Sequence, residues 1–221
     1  MKYLKIFICL FLIIMSTGCS INKTSEATET PEKSEATEKI ETNIDESEEL
    51  KKQQERESQT LWAVLDSDGN EKEMISDTNK DVQAIINAIE NHCATIDNRN
   101  YKKLNLDDEY KYYSDDFITT LDKANYKEAV ENMYKTNKLV LSQENIIWYK
   151  NYLDEDMNKC KVTIEGEFKI TEGSKEYLEK NEMSLDDVYQ EKRIYYLEKV
   201  DNEWKVNNIE KGALTKRSTS A

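Results

Sequence analysis

The chain has 221 residues, with 45 acidic and 31 basic side chains and a formal net charge of −14. Such an acidic surface repels the phosphates of nucleic acids, so nucleic-acid binding is disfavoured. Lys, Asn, Ile, Glu and Tyr are frequent, whereas the chain has one Pro and five Gly. This composition is typical of an AT-rich genome such as that of a low-GC Gram-positive bacterium.

The N-terminal residues 1–18 have the three parts of a secretory signal peptide. Two lysines lie within the first five residues, residues 6–15 are apolar, and the three residues before Cys19 are small. The apolar run is shorter than the stretch of about 20 residues that a membrane-spanning helix needs. We therefore expect these residues to direct export and to be removed.

The junction Gly18–Cys19 resembles the lipobox of bacterial lipoproteins, in which a small residue precedes a cysteine that becomes lipidated. Ser16 stands three residues before the cysteine, where this family usually has Leu. The resemblance implies that Cys19 carries a diacylglyceryl group and anchors the chain to the cell membrane on its extracytoplasmic face. Two acyl chains are enough for stable anchoring. The alternative is simple secretion, which would leave Cys19 as an ordinary thiol.

Residues 19–60 are predicted to form an acidic, disordered tether. Residues 20–60 contain no aromatic residue and no Gly, and they include the near-repeats SEATET and SEATEK. Such a segment cannot bury enough apolar surface to offset the entropy lost on ordering.

Residues 61–75 are predicted to form a strand, a turn and a second strand that lead into the main domain. The turn, residues 66–70 (DSDGN), echoes the start of a calcium loop. An EF-hand needs Gly at the sixth position and Glu at the twelfth, which are Glu71 and Asp77 here. The sequence therefore favours a plain turn over a metal site.

The main domain is predicted over residues 76–211 and begins with three helices. Apolar residues at helical spacing predict the first helix over 81–96. A second helical stretch is predicted from 101 to about 108, and a third around 123–135. Residues 112–117 are interpreted as a joint between them.

After residue 137 the apolar period changes from 3.6 to 2, which predicts an antiparallel sheet. The predicted strands cover 139–149, 160–171, 189–200 and 204–209. Gly166, within the second of these strands, predicts a bulge or sharp bend. Residues 174–187 are interpreted as a helical insertion, and residues 212–221 as a flexible tail.

This order, three helices followed by a bent antiparallel sheet, is an α+β arrangement and resembles the NTF2-like superfamily. The segments that carry the resemblance are the end of the first helix (96–101), the segment after the second (113–117) and the closing hairpin (195–206). The resemblance implies a conical cavity between the helices and the concave face of the sheet. Relatives use this cone for isomerase, dehydratase or cyclase chemistry, for ligand binding, or as a docking module, so the fold does not decide the function.

The candidate catalytic groups are few. His92 is the one histidine of the chain, and a catalytic role would need a carboxylate partner and access to the cavity. We expect instead a histidine at the edge of the apolar stripe of the first helix. The acidic runs 107–109 and 154–156 are interpreted as solvated turns. The thirteen tyrosines either line a pocket or pack at the surface of the core; those considered are Tyr112, Tyr113, Tyr126, Tyr134, Tyr149, Tyr152, Tyr189, Tyr195 and Tyr196.

The sequence contains no metal-ligand cluster, phosphate loop or nucleophile elbow, so neither cofactor nor metal is expected. Cys93 and Cys160 are the two remaining cysteines of the exported chain. They are expected to be buried free thiols, with a disulfide as the alternative.

The sequence thus predicts a non-catalytic binding or docking module at the cell envelope, with a protein partner and a membrane anchor. The alternative is a small-molecule enzyme of the dehydratase or isomerase kind, or a small-ligand binder that uses the cone. An interior filled with apolar side chains would favour docking, whereas an open cone with convergent Tyr, His and Asp would favour catalysis or ligand binding.

Overall fold

The computed structural model of the protein describes residues 61–217. The predictions for the signal peptide, for Cys19, for the tether and for the last four residues lie outside the described residues. No helix within residues 61–217 is both long enough and apolar enough to cross a membrane.

The described residues contain five helices. Helix α1 begins after Asn79, whose side chain accepts hydrogen bonds from the backbone N–H groups of Asp81 and Val82. This cap satisfies donors that the first turn of a helix leaves unpaired. The bounds are α1 (Lys80–Asp97), α2 (Asp107–Tyr110), α3 (Asp115–Lys123), α4 (Tyr126–Asn137) and α5 (Lys175–Lys180).

Four helices, not the predicted three, precede the first long strand. Residues 115–123, part of which was interpreted as a joint, form α3 because the Ser114 side chain accepts a hydrogen bond from the N–H of Phe117. Most of the predicted second helix is not helical. Tyr101 instead donates its backbone N–H to the carbonyl of Leu139 at 3.0 Å, which holds this segment against the sheet.

The seven strands form one sheet in the order β2-β1-β4-β5-β6-β7, and β3 pairs with β5 beside β4. All pairs are antiparallel except β1 with β4, which run parallel. The bounds are β1 (Trp62–Leu65), β2 (Glu71–Ile75), β3 (Val140–Trp148), β4 (Asn151–Leu153), β5 (Lys159–Glu172), β6 (Val188–Val200) and β7 (Glu203–Lys216). The fold is therefore mixed α+β, as the sequence predicts.

The first hairpin is confirmed, but it is part of the main sheet and not only a lead-in. β1 pairs with β2 and also with β4, and Trp62, Ala63 and Val64 are buried. The last strand also extends further than predicted. It stays paired with β6 as far as Lys216, which lies opposite Tyr189, so residues 212–216 are not a flexible tail.

Of the two alternatives predicted at Gly166, the bulge is wrong, and the sharp bend stays a prediction. The pairing of β5 with β6 runs without a register shift, and the shift between β3 and β5 falls between Gln143 and Asn145 on β3. Gly166 serves a different purpose, described below.

The core lies between α1 and one face of the sheet. The apolar stripe of α1 packs there as the helical spacing predicts, and its main cluster includes Val82, Ile85, Ile89, Cys93, Val162, Ile164, Tyr195 and Leu197. Cys93 and Cys160 are both buried free thiols, in agreement with the favoured interpretation.

Candidate functional site

His92 lies inside the core and not at its edge, so the prediction of a boundary histidine is wrong. Its side chain points from α1 towards the sheet and is 0% exposed. The Nε2 atom lies 2.9 Å from the hydroxyl of Tyr113, and the Nδ1 atom lies 3.1 Å from the hydroxyl of Tyr195. Both ring nitrogens are therefore engaged by tyrosines.

Glu109 is the carboxylate at the end of this chain of contacts. It is 0% exposed, although the run 107–109 was interpreted as a solvated turn, and for this residue the interpretation is wrong. Its Oε1 accepts hydrogen bonds from the hydroxyls of Tyr113 at 2.5 Å and Tyr126 at 2.8 Å. Its Oε2 forms an ion pair with the guanidinium of Arg99.

The environment of Glu109 keeps its carboxylate charged. Burial alone would raise its pKa, but the guanidinium of Arg99 and the hydrogen bond from Tyr113 outweigh burial and lower the pKa. For His92, burial disfavours the charged imidazolium and lowers the pKa to about 3. The imidazole is therefore neutral at physiological pH.

The hydrogen bonds also fix the tautomer of His92. Tyr113 donates its one hydroxyl proton to Glu109, so its oxygen must accept from the protonated Nε2 of His92. The Nδ1 atom is then the acceptor for Tyr195, whose oxygen lies 3.5 Å from the Cys93 sulfur. The Cys93 thiol therefore donates to Tyr195, and Tyr195 donates to His92. His92 in turn donates to Tyr113, which donates to Glu109.

A second buried cluster surrounds Arg193 on β6. Its guanidinium donates to both carboxylate oxygens of Asp97 at 2.6 and 2.7 Å, and its Nε donates to Glu191 at 2.7 Å. Glu191 also lies 3.5 Å from the ammonium group of Lys211. The side chain of Arg193 is 2% exposed, so its ion pair with Asp97 has little contact with water, whereas the Lys211 side chain is 35% exposed.

Gly166 leaves the space that Arg193 occupies. A Cβ atom at this position would lie 2.9 Å from Nη1 of Arg193 and 3.3 Å from Oδ2 of Asp97. The glycine therefore permits a close approach of an ion pair to the backbone of β5.

We expect Gly166→Ala to lower the free energy of unfolding by roughly 1–3 kcal/mol, because the added methyl group displaces the Arg193–Asp97 pair. Gly173→Ala is the matched control, since its Cβ would meet methyl groups of Leu139 and Leu178 at 3.3–3.4 Å and no ion pair. Chemical denaturation of both variants measures the difference. Equal losses in the two variants would contradict the role assigned to Gly166.

Two surface depressions lie near these clusters. One, of about 270 Å³, lies between α3 and α4 and has Tyr126 in its wall. The other, of about 430 Å³, runs between α1 and β3. Neither is lined by His92, Glu109 or Arg193.

The tyrosines divide between the interior and the surface. Tyr113, Tyr134, Tyr189 and Tyr195 are buried, whereas Tyr149 is exposed. Among the described residues, the interior is thus not filled only with apolar side chains. It holds polar groups that bind one another.

Sequence reasoning missed Asp97, Arg99, Glu191 and Arg193. For two of these residues, Glu191 and Arg193, the sequence does contain a signal. On β6, Glu191 and Arg193 share the parity of Tyr195 and Leu197, and alternate residues of a strand face the same side. Arg99 and Asp97 lie in a run that also reads as a helix end, and nothing local marks them as buried.

No protein-family model matches this chain, and no curated protein matches it. The chain is similar in structure to an IcmL-like type IV secretion system protein from Legionella pneumophila, with 10% identity and a TM-score of 0.41 over 65% of this chain and 96% of the other. It is also similar to the intermembrane space region of the chloroplast protein ARC6, with 12% identity and a TM-score of 0.37 over 60% of this chain and 97% of the other. An NTF-2 like protein of unknown function from Shewanella oneidensis MR-1 has 13% identity and a TM-score of 0.33 over 58% of this chain and 96% of the other. At TM-scores this low, the likenesses assign neither a family nor a function.

Proposed function

We propose that this chain is a lipoprotein held by Cys19 at the extracytoplasmic face of the cell membrane, and that its NTF2-like domain is a non-catalytic binding module for a protein partner at the envelope. The signal-like residues 1–18 and the Gly18–Cys19 junction support the anchor. The order of elements, helices followed by long antiparallel strands, supports the NTF2-like domain. The proposed form of that domain is a cone in which the helices pack on a bent sheet.

The observation that carries this proposal is the closed hydrogen-bond network around His92. A general acid or base must reach the proton that it transfers. His92 is 0% exposed, and both of its nitrogens already bind tyrosines. Groups committed in this way stabilise the fold, which leaves the surface of the domain for function.

One observation favours the alternative, a small-molecule enzyme of the dehydratase or isomerase type or a small-ligand binder. Tyr126 lines the depression between α3 and α4, and its hydroxyl touches both Glu109 and Arg99. Within the described residues, Nε of Arg99 is buried without a hydrogen-bond partner. A rotation of Tyr126 would open a path to this pair.

Crosslinking of the full-length protein in its own membrane tests the proposal. We expect the wild type and His92→Gln to capture the same protein, and Cys19→Ala to leave the membrane fraction and lose that capture. A Cys19→Ala protein that stays in the membrane as firmly as the wild type would contradict the anchor. Loss of the cellular role in His92→Gln, at a temperature where the variant is still folded and captures the partner, would contradict the non-catalytic interpretation and favour an acid–base enzyme.

A further inference from the structure

The groove between α1 and β3 is the larger of the two surface depressions described above, and the buried residues around His92 do not line it. It has a volume of about 430 Å³. Helix α1 contributes one wall and strand β3 the other. The lining residues are Glu90, Asn91 and Ala94 of α1 and Gln143, Asn145, Ile146 and Trp148 of β3.

The groove runs along an open edge of the sheet. β3 pairs with β5 on one side, and on its other side Asn100 forms a bridge at Val140. On the same side, the backbone N–H of Gln143 donates to Oδ1 of Asn98 at 2.9 Å. Among residues 61–217, no strand pairs with this side beyond the bridge, so the open part of the edge begins after Gln143. Backbone N–H and C=O groups on such an edge are a template for another extended chain.

The lining of the groove supports this geometry. Asn145 lies opposite Glu167 and Ile146 lies opposite Gly166, so these successive residues point to opposite faces of the sheet. Because both residues line the depression, it lies at the strand edge and not over one face alone.

The side chains suit a peptide. Asn91, Gln143 and Asn145 carry amides that both donate and accept hydrogen bonds. The Asn91 nitrogen already donates to the carbonyl of Asn87 and the Gln143 oxygen already accepts from Asn98, so a peptide would use the remaining donors and acceptors. Ile146 and Trp148 offer a half-buried apolar surface, and the ring of Trp148 lies 6.2 Å from that of Trp62. Extended peptides bind sheet edges through their main chain, while pockets for alternate side chains provide specificity.

The charge of the groove indicates the preferred sequence. Glu90 is the one charged residue in the lining, and no ion pair involves it within the described part of the chain. A Lys or Arg of a bound peptide would complement it.

The open edge of β7 is less suited to this role. That strand carries Lys205, Lys211 and Lys216, and lysines on an edge strand oppose pairing with another chain. The groove at β3 is therefore the better candidate for strand addition.

We propose that the groove binds an extended segment of a partner protein by strand addition to β3, with a basic residue of that segment at Glu90 and an apolar residue against Ile146 and Trp148. This inference rests on the proposed binding function and gives it a location and a ligand chemistry.

A displayed library of random 12-residue peptides, selected on the purified full-length protein, tests the inference. Ala94→Arg fills the groove with a long cationic side chain, and Ala84→Arg is the matched control, because both alanines are exposed residues of α1. We expect enriched peptides to alternate apolar and basic residues, and to bind Ala94→Arg at least tenfold more weakly than Ala84→Arg. N-methylation of alternate backbone nitrogens in one peptide register should abolish binding, because it removes the donors that pair with β3.

Glu90→Gln should weaken binding of a selected peptide roughly two- to fivefold (about 0.4–1 kcal/mol), which lies within the range for an exposed ion pair. The change should vanish when the basic residue of the peptide is replaced by Ala. Amide chemical shifts of β3 residues should move on binding.

Absence of enrichment over the Ala94→Arg protein, or equal binding of the N-methylated peptides in both registers, would overturn the groove assignment. The same Ala94→Arg change in the membrane crosslinking experiment separates the two proposals. If the partner is still captured, docking occurs elsewhere on the domain and only the groove assignment fails.

Discussion

Replacing Arg193 with Met should lower the free energy of unfolding by about 3–5 kcal/mol, the usual cost of removing one partner from a buried ion pair. The substitution leaves the carboxylate of Asp97, whose side chain is 3% exposed, without its cation, and leaves Glu191 with Lys211 alone. The Asp97 charge would then remain unpaired in a site with little water. Urea denaturation at pH 7 measures the loss.

Lys135→Met is the matched control, because Lys135 pairs with Glu131 one helical turn away and both side chains are exposed. Its expected cost is about 0.3–0.5 kcal/mol. Arg193→Lys should fall between the two, since it keeps the charge and loses the two-pronged contact with Asp97. A loss in Arg193→Met within 1 kcal/mol of the control (about the value of one ordinary hydrogen bond) would contradict the role given to this cluster.

Stability should also fall steeply in mild acid because of His92. The unfolded chain binds a proton at this residue below about pH 6.5, whereas the folded protein does not until its pKa of about 3. Between these values the unfolded state holds the extra proton, so the stabilising contribution is present above pH 6.5 and is lost as the pH falls. From neutral pH to pH 5 the expected loss is about 2 kcal/mol.

His92→Gln isolates this effect, because glutamine keeps one donor and one acceptor in the side chain without titrating. We expect the variant to be less stable at neutral pH and to show a flatter dependence of stability between pH 7 and pH 5. This window lies above the ordinary pKa values of Asp and Glu. A wild type and a variant with the same slope in this range would show that His92 titrates normally in the folded state.

Local periodicity is the reason that much of the fold follows from the sequence. The apolar stripe of α1 and the alternating apolar residues of β5 each lie within one short segment of sequence. Both elements are present in the structure. Pairing between distant segments has no such local signal. The parallel alignment of β1 with β4 and the extension of β7 to Lys216 depend on neighbours that the local pattern does not contain.

The candidate site was harder to predict because its residues are polar and come from separate elements. Glu109 belongs to an acidic run that reads as solvated, and its burial depends on Arg99 and Tyr126. Gly166 predicts a bulge or bend from its own strand alone, because the side chain that needs its space, Arg193, lies on the neighbouring strand β6. The shared parity of Glu191 and Arg193 with apolar residues of β6 was the one available clue.

The central claim is that the acid–base groups of the interior are committed to the fold, and NMR of the imidazole tests it most directly. The chain has one histidine, so the ring signals of labelled His92 are unambiguous. We predict ring nitrogen shifts of the neutral Nε2–H tautomer that do not change between pH 5 and pH 8. A midpoint near pH 6.5, with rapid exchange of the ring proton, would show that His92 reaches water and would contradict the account.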